Sequence, residues 1–150
     1  MFPISGDKCL LEFLGKTLLE HQIGMAKRVG LDECIIVANP QNKGRIQEVM
    51  TGMDIKFDLV TQKEPLGIAN ALECAVDFID DEVIVVNPDD VFEHSPYESL
   101  FEARRAGAAI AYLLGSKVRD CFPSGYLVVD EEWQLVRIVE NRREERSRQN

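Results

Sequence analysis

Glu82-Val83-Ile84-Val85-Val86-Asn87-Pro88-Asp89-Asp90-Val91-Phe92 is the stretch that decides the fold. Residues 83–86 are all β-branched, the side-chain type that fits a pleated surface. They are apolar without alternation. Strands covered on both faces read this way, and such strands belong to parallel sheets. Asn-Pro ends the run, and two carboxylates follow at once. In open α/β sheets ligands bind outside the carboxyl ends of the strands. The same eleven residues therefore predict a buried strand and a place for chemistry.

Outward from this strand, helix and strand signals alternate. Upstream, residues 67–79 carry Ala71, Leu72, Ala75, Val76 and Ile79 at helical spacing, and residues 56–62 read as a strand. Residues 42–50 predict a short helix with Ile46, Val49 and Met50 inward. Cys34-Ile35-Ile36-Val37-Ala38 is a second continuous apolar run of strand length. Residues 16–29 predict a helix that stops at Gly30. Downstream, residues 96–106 open with Pro96, tolerated in a first helical turn. Residues 108–114, 125–129 and 135–139 read as strands, the last two joined by an acidic turn into a hairpin. Trp133 in that turn is expected to cover apolar surface, and the Arg-rich residues 142–150 to be a solvated end. Alternation of this kind means βαβ units, hence an α/β fold with a mostly parallel sheet.

Length and composition agree. The chain has 150 residues, about one domain, so residues 1–150 are expected to form a single one. Its apolar fraction of 45% supports a real core. A net charge of −9 argues against a nucleic-acid-binding face. No apolar run approaches the ~20 residues of a membrane span. Cys9, Cys34, Cys74 and Cys121 form no CxxC or Cys/His cluster, which argues against zinc. The expected location is cytoplasmic, with reduced thiols. Both ends are expected to be cut, because the chain opens with a loop and a helix where doubly wound folds begin with a strand.

Three segments could carry chemistry. Asp89 and Asp90 stand where oxygen ligands could hold Mg²⁺. Turn acids are the competing explanation. From Gln62 through Glu64-Pro65-Leu66-Gly67 to Ala71, a strand ends, a Pro/Gly loop follows, and small residues open a helix. There the Gln62 amide could read a base edge, and Gly67 leaves room for a ring. Lys8, in Ser5-Gly6-Asp7-Lys8-Cys9-Leu10-Leu11, could neutralise phosphate as a point charge. His21 and His94 support no metal cluster. Ser5 and Ser124 have no nucleophile partners.

In order and spacing these segments resemble the sugar-1-phosphate nucleotidyltransferase family, which makes NDP-sugars. Residues 1–4 and 8–13 look like the end of its Gly-rich signature, and residues 15–23 resemble the helix behind it. Gln62 to Ala71 is similar to the family's Gln-Glu-x-Pro-Leu-Gly-Thr-Ala segment. Residues 85–92 resemble its strand ending in Gly-Asp-x-x-Phe, and residues 125–141 its Gly-x-x-x-x-Asp … Val-Glu-Lys-Pro stretch.

The resemblance implies a Rossmann-like, mostly parallel sheet with helices on both faces, whose first strand and C-terminal part lie outside these 150 residues. It implies transfer of a nucleoside monophosphate from an NTP to a sugar-1-phosphate, with Mg²⁺ as cofactor. Asp89 would be the metal ligand and, with Lys8, catalytic. Gln62, Pro65, Gly67, Gly125 and Glu140 would bind substrate. The implied partners are the NTP and the sugar-1-phosphate, without nucleic acid or membrane; a homo-oligomer is allowed.

The chain also departs from the pattern. The Gly-rich loop with its Arg and the second metal Asp are missing. Pro88 replaces Gly, so Asp89, not Asp90, matches the metal position. Ile68 replaces Thr, and Asn141 replaces Lys. A chain of this length is therefore expected to be nearly inactive. A nucleotidyltransferase-like domain that has lost catalysis and serves binding or regulation is the alternative. A receiver-type signalling domain fits poorly, because the acidic pair follows the third strand and not the first.

Overall fold

The computed structural model describes residues 7–87, 90, 92–107, 109–117, 119 and 125–140. Two compact units divide the chain at Ala106/Gly107.

The first unit is built around one βαβ element. Strand β3 (Glu33–Ala38) and strand β4 (Lys56–Thr61) pair in parallel, with Cys34 opposite Phe57, Ile36 opposite Leu59 and Ala38 opposite Thr61. Helix α2 (Lys43–Thr51) makes the crossover. Alternation along a strand sends 34, 36, 38, 57 and 59 to one face. On that face Cys34, Ile36, Ala38, Phe57 and Leu59 pack with Ile46 and Met50 of α2, and with Leu19 and Ile23 of helix α1 (Leu18–Arg28). Met50 is 0% exposed. Helix α3 (Ile68–Ala75) touches both strands yet adds nothing to this cluster, so it covers the opposite face. Parallel pairing and helices on both faces are thus present, in a two-stranded sheet.

The start of α1 is fixed locally. Thr17 Oγ1 accepts from the Glu20 amide at 3.1 Å, and Glu20 Oε2 accepts from the Thr17 amide at 2.7 Å. This is a capping box, which satisfies two donors that a helix start leaves open. Before it lies a small hairpin that the sequence reading missed, β1 (Glu12–Phe13) against β2 (Lys16–Thr17). Its turn residues Leu14 and Gly15 both have positive φ, 51° and 77°. That pair matches the primed turn of two-residue hairpins.

Two expected strands are corrected. Residues 82–87 run without ladder pairing to any described residue. Ile84 and Val86 are half-buried while Val83 and Val85 are exposed, so one side is covered rather than two. An apolar run encodes a preference for burial. A strand also needs a neighbour's backbone to bond with. The described part of residues 108–114 is likewise not a strand, and Ile110 is fully exposed. The helix expected over 67–79 ends at Ala75 and tightens into a 3₁₀ turn, Val76–Phe78. Its apolar stripe is only partly inward, since Leu72 and Val76 are exposed. Helix α4 (His94–Ala106) holds Pro96 in its first turn, as expected.

The described part of the second unit is dominated by the expected hairpin, β5 (Gly125–Val129) antiparallel to β6 (Leu135–Glu140), with a bulge at Val128/Val129. Asp130 Oδ1 accepts from the amides of Glu132 and Gln134, at 3.1 and 2.7 Å, and so folds the turn. Trp133 sits at its tip with φ 62° and 79% exposure. With most of its surface open among the described residues, it is not the apolar cover that was expected. The turn geometry holds it outward.

Candidate functional site at the strand carboxyl ends

The register places the ends of β3 and β4 side by side, and the Gln62 amide donates to the Ala38 carbonyl at 2.8 Å. Behind β3, Asn39 and Asn42 cap one another. Asn39 Oδ1 accepts from the Asn42 amide at 2.8 Å, and Asn42 Oδ1 from the Asn39 amide at 2.9 Å. Asn42 is buried and opens α2. The spacing Asn-x-x-Asn ahead of an apolar period was the signal for this cap.

Behind β4, the Gln62 side chain organises the next loop. Its Nε2 donates to the Gly67 carbonyl and to Asn70 Oδ1, both at 3.0 Å. Asn70 Nδ2 in turn donates to Glu73 Oε2 at 3.2 Å. Both amide hydrogens of Gln62 are therefore spent inside the loop, and its Oε1 is the group left to meet a ligand. The expectation that Gln62 reads a base edge narrows accordingly: it can accept a donor from a base but has no hydrogen to offer. Asn70 was missed, because its role depends on chain reversal over eight residues.

Pro65 centres a tight turn in which the Leu66 amide donates to the Glu64 carbonyl at 2.8 Å. Gly67 follows with φ 93° and ψ −178° and starts α3. Only glycine adopts that region without strain. An added Cβ would meet nothing within 4 Å, so the cost of replacement is backbone strain alone. Gly67→Ala is expected to lower stability by about 1–3 kcal/mol in urea denaturation. Thr61 Oγ1, next to this loop, is buried and has no hydrogen-bond partner among the described residues. An orphaned buried hydroxyl is costly, and valine has the same shape. Thr61→Val is expected to raise stability by about 1 kcal/mol in the same experiment.

The next candidate segment follows residues 82–87, which pair with no described strand. The Asp90 amide donates to the Asn87 carbonyl at 3.1 Å, and Asn87 Nδ2 donates to Asp90 Oδ2 at 3.0 Å. These bonds tie Asp90 back to Asn87. Asp89, the expected metal ligand, lies outside the described residues. No group of three or more His, Cys, Asp or Glu among the described residues could hold a metal ion. By sequence Asp89 and Asp90 offer oxygen donors only, the kind that suits Mg²⁺, which takes one or two carboxylates and completes its shell with water and substrate phosphates.

Lys8 stands exposed on a 3₁₀ turn, Lys8–Leu10, whose Cys9 and Leu10 belong to the core cluster beneath β3 and β4. His21 braces the neighbouring hairpin, with Nε2 2.8 Å from the Phe13 carbonyl. In the second unit Gly125 and Glu140 face one another across the β5–β6 pair, so two expected sugar contacts are direct neighbours.

Burial, with a smaller push from Asp58, raises the Cys34 thiol to about 11. Cys9, Cys34 and Cys74 form no disulfide. None of the described helices is long and apolar enough to cross a membrane.

The sequence model of the nucleotidyl transferase family matches residues 2–148. Mannose-1-phosphate guanylyltransferase 1 of Arabidopsis thaliana is 29% identical over 134 residues, covering 85% of this chain and 37% of the relative. The bifunctional protein GlmU of Lactobacillus gasseri is 27% identical over 139 residues, covering 90% and 29%. Among solved structures, HddC from Yersinia pseudotuberculosis complexed with GMP-PN superposes with a TM-score of 0.67 at 22% identity, covering 93% of this chain and 63% of that one. The chain thus spans less than two fifths of the length of these curated relatives.

Proposed function

Because the chain belongs to the nucleotidyl transferase family, we propose that it carries the nucleotide-handling part of an enzyme that joins an NTP to a sugar-1-phosphate. The products are an NDP-sugar and pyrophosphate. The observation that carries this reading is the Gln62–Gly67–Asn70 brace at the carboxyl end of β4. It is a loop braced by side-chain hydrogen bonds, whose Gln62 amide oxygen has no partner among the described residues, at the sheet edge where α/β ligands bind.

In this reading the oxygen of the sugar-1-phosphate attacks the α-phosphorus of the NTP in line. Such transfers ask little covalent chemistry of a protein and much positioning. Gln62 Oε1 accepts from the base, and Gly67 leaves room for the ring. Pro65 fixes the turn between them. Lys8 offsets phosphate charge, and Gly125 and Glu140 contact the sugar. Asp89 would hold Mg²⁺, which when bound offsets charge on the phosphates.

The test is pyrophosphate release by the full-length protein across a panel of NTPs and sugar-1-phosphates. Release with at least one pair supports the reading, and none with any pair overturns it. Pro88 in place of the family's glycine favours one rival, a domain that binds nucleotide without turnover. That rival predicts binding that survives Asp89→Ala.

A further inference from the structure

Three side chains behind β4 form a chain of hydrogen bonds that can run in one direction only. Gln62 and Asn70 are half-buried, and Glu73 is exposed. An ionised carboxylate only accepts. Asn70 therefore turns its Nδ2 toward Glu73 Oε2, 3.2 Å away. Its Oδ1 is left facing Gln62, whose Nε2 donates to it at 3.0 Å. The same Nε2 donates to the Gly67 carbonyl, also an obligate acceptor, at 3.0 Å. The two arms of a glutamine amide are nearly equal in size, so an unbraced one turns over to suit its ligand. Here a turnover would set Gln62 Oε1 against two oxygens and leave both without a donor.

We propose that Asn70, itself oriented by Glu73, is a positioning residue that makes Gln62 an acceptor only and thereby sets which bases the site admits. This rests on the reading of Gln62 as a base contact given above. Asn70 and Glu73 touch no ligand in it and act through the Gln62 amide. Guanine and adenine are alike in size but opposite in polarity at O6 and N6, as are uracil and cytosine at O4 and N4. A fixed acceptor is satisfied by one member of such a pair and faces a second acceptor on the other. A polar group that cannot adapt is then left unpaired, and the mismatched base is rejected.

The test is the affinity of the full-length protein for GTP, ATP, UTP and CTP by titration calorimetry, read as the ratio within each same-sized pair. The wild type is expected to show a ratio of at least about tenfold in the pair it prefers. Asn70→Leu keeps the bulk and removes the acceptor. It is expected to lower that ratio about fivefold, chiefly by tighter binding of the mismatched base. Asn70→Asp keeps an oxygen for Gln62, while the exposed Glu73 can swing into water. It is expected to hold the ratio within about twofold of the wild type. In the ligand-free protein, the Gln62 side-chain amide hydrogens, followed by NMR, are expected to exchange with water about fivefold faster in Asn70→Leu. If Asn70→Leu does not fold, Asn70→Ala removes the same bond. An equal loss of affinity for all four nucleotides, with the ratio unchanged within about twofold, makes Asn70 a packing residue and overturns the proposal. A wild type without preference in either pair, or without affinity for any of the four, overturns it as well. If the protein discriminates between bases yet releases no pyrophosphate with any sugar-1-phosphate, the transfer reading falls and the role of Asn70 stands on the affinities.

Discussion

Replacing Asp89 with asparagine is expected to slow pyrophosphate release by the full-length protein about a hundredfold or more at saturating substrates. The amide keeps the shape and the oxygen but removes the charge that a hard cation requires. Losing one preorganised charge contact in such a site costs about 3 kcal/mol, which is that factor in rate. Asp90→Asn is the comparison. Asp90 Oδ2 accepts from Asn87 Nδ2 within the turn, a role that an amide oxygen can also fill. Its loss is expected to be about tenfold or less. Equal losses at both positions would mean that the carboxylates act as a pair. A loss confined to Asp90 would move the ligand one residue along the chain.

Met50→Ala is expected to have the largest effect on stability, about 3 kcal/mol in urea denaturation. Among the described residues Met50 is the largest side chain with no exposed surface, and it sits in the cluster that joins α1, α2 and one face of the sheet. Truncation leaves a cavity between elements that their other contacts hold apart. Met50→Leu keeps most of the volume and is expected to cost less than about 1.5 kcal/mol. A loss below about 1 kcal/mol for the alanine variant would show that the cluster collapses onto the gap, which the rigid pairing of β3 with β4 opposes.

How far the sequence carried the fold depended on whether each signal was local. Thr17-Leu18-Leu19-Glu20 contains a complete capping box, a local signal that fixes the start of α1 at Leu18, two residues after the expected start at residue 16. The parallel partners Cys34–Ala38 and Lys56–Thr61 were legible because apolar runs of that length, split by a helical period, admit few other arrangements. The hairpin of 125–140 was legible from its acidic turn. Residues 83–86 misled, because four apolar residues specify what wants burial and leave unsaid which backbone pairs with them. The same distinction governs the site. Gln62, Pro65 and Gly67 were found together because they stand together in the chain. Asn70 as the acceptor for Gln62, and the contact of Gln22 with the Asn87 carbonyl, were not, since 65 residues separate that second pair.

The exposed tip of the β5–β6 turn has a practical consequence for spectroscopy. Trp133 is the one tryptophan of the chain. Its indole already faces water, so its emission should lie close to that of the unfolded polypeptide and shift little during denaturation. What signal it gives reports on the 125–140 hairpin and is silent about the cluster around Met50. Unfolding of the first unit is better followed by far-ultraviolet dichroism, to which α1, α2, α3 and α4 all contribute. A flat fluorescence trace from this protein is the mark of where its only indole sits.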